Sequence, residues 1–101
     1  MNIEIYGIPE QVWRCPGCHW IRGLLASLNV EYTFIDVISP GGTGPVYDRP
    51  LIESLAKRLC QFPSLSIKYP VIFVDNQFIP SLKDFQQFLI DKGYDRDLIE
   101  D

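Results

Sequence analysis

The feature that most constrains this chain is a pair of cysteines, Cys15 and Cys18, separated only by Pro16 and Gly17. The pair falls between two segments of different period. Before it, Asn2 to Gly7 alternates, with Ile3 and Ile5 apolar, and closes on Gly-Ile-Pro, which reads as a short strand and a turn. After it, Ile21, Leu24, Leu25 and Leu28 recur at helical spacing, so a helix is expected from Pro16 to Leu28, with Asn29 ending it in a left-handed conformation. Two thiols at the start of a helix that follows a strand suit dithiol–disulfide chemistry.

The reason is electrostatic. A cysteine attacks a disulfide only as thiolate, and a free thiol with a pKa of ~8.5 is mostly protonated at neutral pH. A helix N-terminus offers unpaired N–H groups and partial positive charge to the anion. Pro16 suits the first helical position, where its missing N–H costs nothing, and Arg14 adds a cation. Cys15 is therefore expected to be the nucleophile. Cys18, one turn further in, is expected to be less exposed and to resolve the mixed disulfide.

Two other chemistries fit the same residues. Cys15-Pro16-Gly17-Cys18-His19 matches the c-type haem attachment pattern. That site wants an exported protein and commonly a second axial ligand, and the one methionine is Met1. A structural zinc site needs four ligands, so Cys60 and His19 would have to join the pair. The sequence holds no second CxxC, and the redox reading is preferred to both.

The rest of the chain frames a small domain. Val30 to Val37 is rich in β-branched and aromatic residues and reads as a second strand. Ser39 to Pro45 reads as a flexible loop. Asp48 caps a second helix carrying Leu51, Ile52, Leu55 and Leu59 on its apolar face, with Cys60 at its end as a small buried hydrophobe. Pro70 to Val74 and Gln77 to Ile79 are strands around an Asp75-Asn76 hairpin turn. Ser81 and Asp84 open a third helix with Leu82, Phe85, Phe88 and Leu89 on one stripe, and Gly93 stops it. The tail from Tyr94 can add one turn. The order β-α-β-α-β-β-α implies an α/β domain: a four-stranded mixed sheet flanked by three helices, the first two strands parallel and the last two antiparallel.

Length and composition set limits. The chain of 101 residues is enough for one domain spanning 1–101. A net charge of −4 without a basic run argues against nucleic acid and anionic membrane as partners. No apolar stretch approaches the roughly 20 residues that span a bilayer. The start Met-Asn-Ile-Glu-Ile-Tyr has no basic lead, so no signal peptide is expected. Three cysteines make no disulfide scaffold, so a reducing cytoplasm is the expected compartment.

With these residues in place, the chain resembles the glutaredoxins of the thioredoxin-like fold, particularly the phage and bacterial members. The resemblance runs from Asn2 to about Gly93. It rests on the CxxC near residue 15, the element order, and Tyr69-Pro70 leading into Val71-Ile72-Phe73-Val74-Asp75-Asn76-Gln77-Phe78-Ile79. It implies that Pro70 is a cis proline beside the two sulfurs, and that the Tyr69 backbone pairs with a peptide-like substrate. It also implies a glutathione- or substrate-binding set of Arg14, Tyr69, Pro70, Ser81, Leu82 and Lys83, with Pro16 and Gly17 supporting the redox-active pair Cys15–Cys18. The activity implied is reduction of protein or glutathione mixed disulfides, possible substrates including ribonucleotide reductase. Glutathione is the implied co-substrate and thioredoxin reductase the alternative donor. No bound cofactor or metal is implied, and a monomer is expected. The competing class is a module that holds an iron–sulfur cluster through glutathione, or another metal.

The chain departs from the family pattern at three places. Gly17 stands where the family mostly has tyrosine, Val12 where it usually has a lysine, and Pro80-Ser81 where it has two glycines. Among other residues, Trp13 reads as a contact for a protein partner, Tyr6 and Trp20 as core, and His19 as an exposed helix residue. Tyr47 and the glycine loop are expected near the site.

Overall fold

The computed structural model describes residues 1–100. Its central sheet has four strands in the order β2-β1-β5-β6, where β1 is Ile3–Gly7, β2 Thr33–Asp36, β5 Val71–Val74 and β6 Gln77–Ile79. Strand β1 runs parallel to β2, with Ile5 opposite Phe34, and antiparallel to β5, with Ile5 opposite Ile72. The parallel pair is joined through α1 (Pro16–Ser27), as a strand–helix–strand crossover requires. Asp75 and Asn76 both take positive φ in the tight turn between β5 and β6.

Alternation along the strands divides the core in two. Ile3, Ile5, Ile72 and Val74 face α1 and α3 (Leu82–Asp91), packing with Ile21, Leu25, Phe85 and Leu89. Tyr6, Val71 and Phe73 face the opposite side and pack with Ile52 and Leu55 of α2 (Arg49–Arg58). All four residues of β5 are buried, as expected of a strand covered on both faces. On the α2 side, Arg58 lies over the Phe73 ring, 3.7 Å from its centroid, and binds Glu4 Oε1 at 2.9 Å and the Tyr6 hydroxyl at 3.0 Å.

The three longer helices end alike. At α1, α2 and α3 the residue after the C-cap has positive φ, namely Asn29, Cys60 and Gly93. Each donates back to the carbonyl three residues earlier, and the next residue donates to one five earlier: Val30 to Leu25, Gln61 to Ala56 and Tyr94 to Leu89. This is the Schellman arrangement.

Two sequence expectations need correcting. Residues 39–45 do not form a free loop. Strands β3 (Ile38–Pro40) and β4 (Pro45–Tyr47) pair antiparallel as a separate two-stranded hairpin. Its base is tied down by Val37 N–H donating to Gly7 O and Asp48 N–H donating to Val37 O. The glycines are confined to the tip, where Gly41 N–H donates to Gly44 O. Cys60 is exposed rather than buried, because it is the left-handed residue that terminates α2 and its side chain leaves the apolar face. The tail adds the expected turn as α4 (Arg96–Glu100), whose Ile99 is fully buried in the core of α1 and α3. Its register is also held by Gln86 Nε2, which donates to Ile99 O at 2.9 Å.

Candidate active site

The site lies where β1 hands the chain to α1. After Gly7 the chain turns, Val12 N–H donating to Pro9 O, and enters the helix through Cys15. Cys15 is the N-cap, in extended conformation, and its sulfur accepts from Cys18 N–H at 3.3 Å. A sulfur thus takes the place of the usual capping oxygen, held by a donor that the helix itself cannot satisfy. Pro16 opens the helix, as expected.

Cys15 and Cys18 are joined as a disulfide with Cα atoms 5.2 Å apart. They are not equivalent. Cys15 is half-buried at the surface, whereas Cys18 is 2% exposed. Gly7 accounts for part of that burial: a Cβ there would lie 3.0 Å from Cys18 Sγ and 2.6 Å from Phe34 Cζ. Only a glycine lets β1 pass this close to the inner sulfur.

Pro70 reaches the same place from β5. The Tyr69–Pro70 bond is cis, as is Phe62–Pro63, which the sequence did not flag. A Cβ on Gly17 would lie 3.0 Å from Pro70 Cδ and 3.3 Å from Leu82 Cδ1. The cysteine pair, the cis proline and the start of α3 therefore meet at Gly17. Tyr69 is half-buried, and burial pushes its phenol above the ordinary value, with Tyr47 nearby adding to the shift.

The other expected site residues are placed less centrally. Ser81 caps α3, accepting from Asp84 N–H at 3.1 Å and donating to Asp84 Oδ2 at 2.9 Å, so its hydroxyl is engaged by the helix start. Lys83 is exposed in the first turn of α3. Arg14 lines a cleft of about 410 Å³ with Cys15, Pro16, Glu10 and His19. A second cleft, of about 490 Å³, is lined by Ile8, Trp13, Tyr47, Ile52, Ile67 and Tyr69 among others. Trp13 and Tyr47 are 46% and 58% exposed, and their rings contact at 6.1 Å between centroids. The hairpin thus supplies one wall beside the site through Tyr47.

Glu10 is the residue the sequence reading missed: its carboxylate is paired with His19 Nδ1. They lie nine residues apart, in a turn and a helix, and no periodicity relates them. Among the described residues no three of His, Cys, Asp and Glu gather as a group that could hold a metal ion.

Comparison with known proteins agrees with this geometry. No family model matches the chain. Over 100 residues it is 52% identical to an uncharacterized 11.8 kDa protein of Enterobacteria phage T4 from the Gp55–nrdG intergenic region, covering 99% of this chain and 96% of the relative. The chain belongs to the family of that phage protein. Its fold is the thioredoxin-like fold of the glutaredoxins. Glutaredoxin 1 of Francisella tularensis, solved with cacodylate, superposes with a TM-score of 0.56 at 16% identity, over 90% of this chain and 93% of that one. Reduced Escherichia coli glutaredoxin gives 0.56 at 22% identity, over 90% and 95%. Among the described residues, no helix is long and apolar enough to cross a membrane.

Proposed function

We propose that the protein is a glutaredoxin-like dithiol–disulfide oxidoreductase of the cytoplasm. The observation that carries this reading is the asymmetry of the pair: a half-buried Cys15 capping a helix, with Cys18 buried below it and Pro70 alongside. The glutaredoxin fold supports it.

In the reduced protein, the Cys15 thiolate attacks one sulfur of a substrate disulfide. The substrate S–S bond breaks, and its electron pair leaves on the second sulfur, which takes a proton. Cys18, losing its proton, attacks the Cys15 sulfur and releases the other substrate thiol. The substrate gains two electrons and two protons, and the Cys15–Cys18 disulfide remains. The Cys18 N–H and the helix terminus stabilise the attacking thiolate. Of the pair, Cys15 is the more accessible sulfur, which supports this order of the two attacks.

The substrate is a disulfide-bearing polypeptide, seated across Tyr69 and Pro70 with the Trp13–Tyr47 cleft receiving apolar side chains beside the disulfide. The T4 relative's position beside nrdG supports ribonucleotide reductase as that polypeptide. Glutathione or thioredoxin reductase restores the dithiol. Arg14 and Lys83 are exposed cations for a glutathione carboxylate, whereas the Asp84 carboxylate occupies the first turn of α3 where the second carboxylate would sit.

The test is turnover of a mixed disulfide with NADPH, coupled in parallel to glutathione with glutathione reductase and to thioredoxin reductase. Wild type turns over with at least one donor, and Cys15→Ser with neither. A wild type inert with both donors overturns the reading.

A further inference from the structure

The cleft holding Cys15 is lined by just four other residues, Glu10, Arg14, Pro16 and His19. His19 lies one helical turn after Cys15, its N–H donating to Cys15 O at 3.0 Å, so both side chains leave the same face of α1. Glu10 approaches from the turn after β1 and binds the imidazole at Nδ1. An ionised carboxylate only accepts, so Nδ1 carries the proton in this pair and the remaining nitrogen, Nε2, is the one that exchanges protons. No protein group among the described residues bonds Nε2.

We propose that Glu10 and His19 form a proton-transfer dyad for Cys15. It deepens the oxidoreductase reading and rests on it. In the reduced protein the Cys15 thiol passes its proton to Nε2, giving a thiolate and an imidazolium held by the Glu10 carboxylate. When the thiolate attacks, the leaving substrate sulfur takes that proton, and the imidazole returns to neutral. Protons balance within the cleft, and no outside acid or base is required for the first half-reaction. His19 is the proton carrier and Glu10 its positioning residue.

The other charged groups around the dyad act differently. Arg14 shares the Cys15 cleft, and Arg22 shares an adjoining one with Glu10 and His19. Their guanidinium cations stabilise the thiolate by charge alone and have no lone pair with which to take its proton. No charged side chain of β5, β6 or α3 lines either cleft. Tyr69, the titratable neighbour on the Pro70 side, is held neutral by its raised value.

The experiment is the pH dependence of iodoacetamide alkylation at Cys15 in the reduced protein, resolved by mass spectrometry. It is done in a Cys60→Ser background because Cys60 is exposed. Cys18 is too buried to react comparably. A coupled thiol and imidazole titrate in two steps. His19→Gln is expected to leave one step and to lower the rate below neutral pH about two- to fivefold, the range set by an exposed charge pair. Glu10→Gln is expected to fall between it and wild type, and the double variant to match His19→Gln. Both residues are surface-exposed, and circular dichroism checks that each variant is folded. A His19→Gln profile that superimposes on wild type overturns the proposal. So does a Glu10→Gln profile that superimposes on wild type while His19→Gln differs. Alkylation needs no disulfide substrate, so a protein inert in turnover that still shows the two-step profile would sink the oxidoreductase reading and leave the dyad standing.

Discussion

Gly17 faces Pro70 across the candidate site, so closely that a Cβ on Gly17 would stand 3.0 Å from Pro70 Cδ. Leu82 closes the other side at 3.3 Å. These neighbours belong to the turn into β5 and to the start of α3, so residue 17 is where three parts of the fold converge on the two sulfurs.

That proximity separates two glycines of one helix. Gly17→Ala must displace the Pro70 ring, and overpacking of this kind costs about 1–3 kcal/mol, offset by up to ~1 kcal/mol of helix propensity. A net loss of about 1 kcal/mol is expected. Gly23→Ala meets nothing within 4 Å and is expected to raise stability by up to ~1 kcal/mol. Urea denaturation of the two variants should move in opposite directions, and equal shifts would refute the Pro70 contact.

Cys60 holds a left-handed conformation with φ of 60°, where Asn29 and Gly93 serve the other two helix ends. A non-glycine residue there costs about 1–2 kcal/mol, against ~0.5–1 kcal/mol of extra chain entropy for glycine. Cys60→Gly is therefore expected to stabilise the protein by about 0.5–1 kcal/mol in chemical denaturation. A destabilised variant would show that the thiol makes a contact the backbone argument leaves out.

This position also shows where sequence reasoning stops. The four strands of the central sheet, the three longer helices and the turn between β5 and β6 were legible because period, caps and turn residues agree locally: Asp48 and Ser81 cap as expected, and Asp75-Asn76 turns as expected. Cys15, Cys18 and Pro70 were legible because a short motif and a family resemblance mark them. Cys60 misled because a helix can end on a cysteine at the position that usually takes glycine, and composition then suggests burial. The 38–47 hairpin was hidden by its glycines, since its pairing depends on Val37 bonding to Gly7 and Asp48 rather than on any local pattern. The Glu10–His19 pair and the packing of Gly7 on Cys18 are tertiary, and nothing in spacing announces them.

Glu4 and Arg58 make stability depend on acid. The Arg58 hydrogen bonds hold the Glu4 carboxyl below its usual value. A folded value below the unfolded one means stability present above the unfolded value of about 4.3 and lost as pH falls through the folded one. Chemical denaturation should therefore show the midpoint falling on acidification below about pH 5. Glu4→Gln should flatten that fall and lower the midpoint at pH 7, because Arg58 loses its carboxylate partner over Phe73. An unchanged pH dependence would place the acid sensitivity at other carboxylates.

The Trp13–Tyr47 wall distinguishes a polypeptide substrate from a small one. Tyr47 comes from the extra hairpin and Trp13 from the segment entering Cys15, and their exposed rings meet in a cleft that Tyr69 also lines. A surface of this kind contributes to binding in proportion to the area a partner covers. Trp13→Ala and Tyr47→Ala are each expected to lower kcat/KM about three- to tenfold for a disulfide carried in a polypeptide, about 0.7–1.4 kcal/mol of lost binding. For a small soluble disulfide the same variants should remain within about twofold of wild type, since such a substrate reaches Cys15 without crossing the cleft. The two substrates should be measured on the same preparations, with the rate of Cys15 alkylation as a check that the Cys15 thiol is unaltered. Equal losses on both would assign the aromatic pair to shaping the loop before Cys15, and no loss on either would remove the cleft from the substrate path.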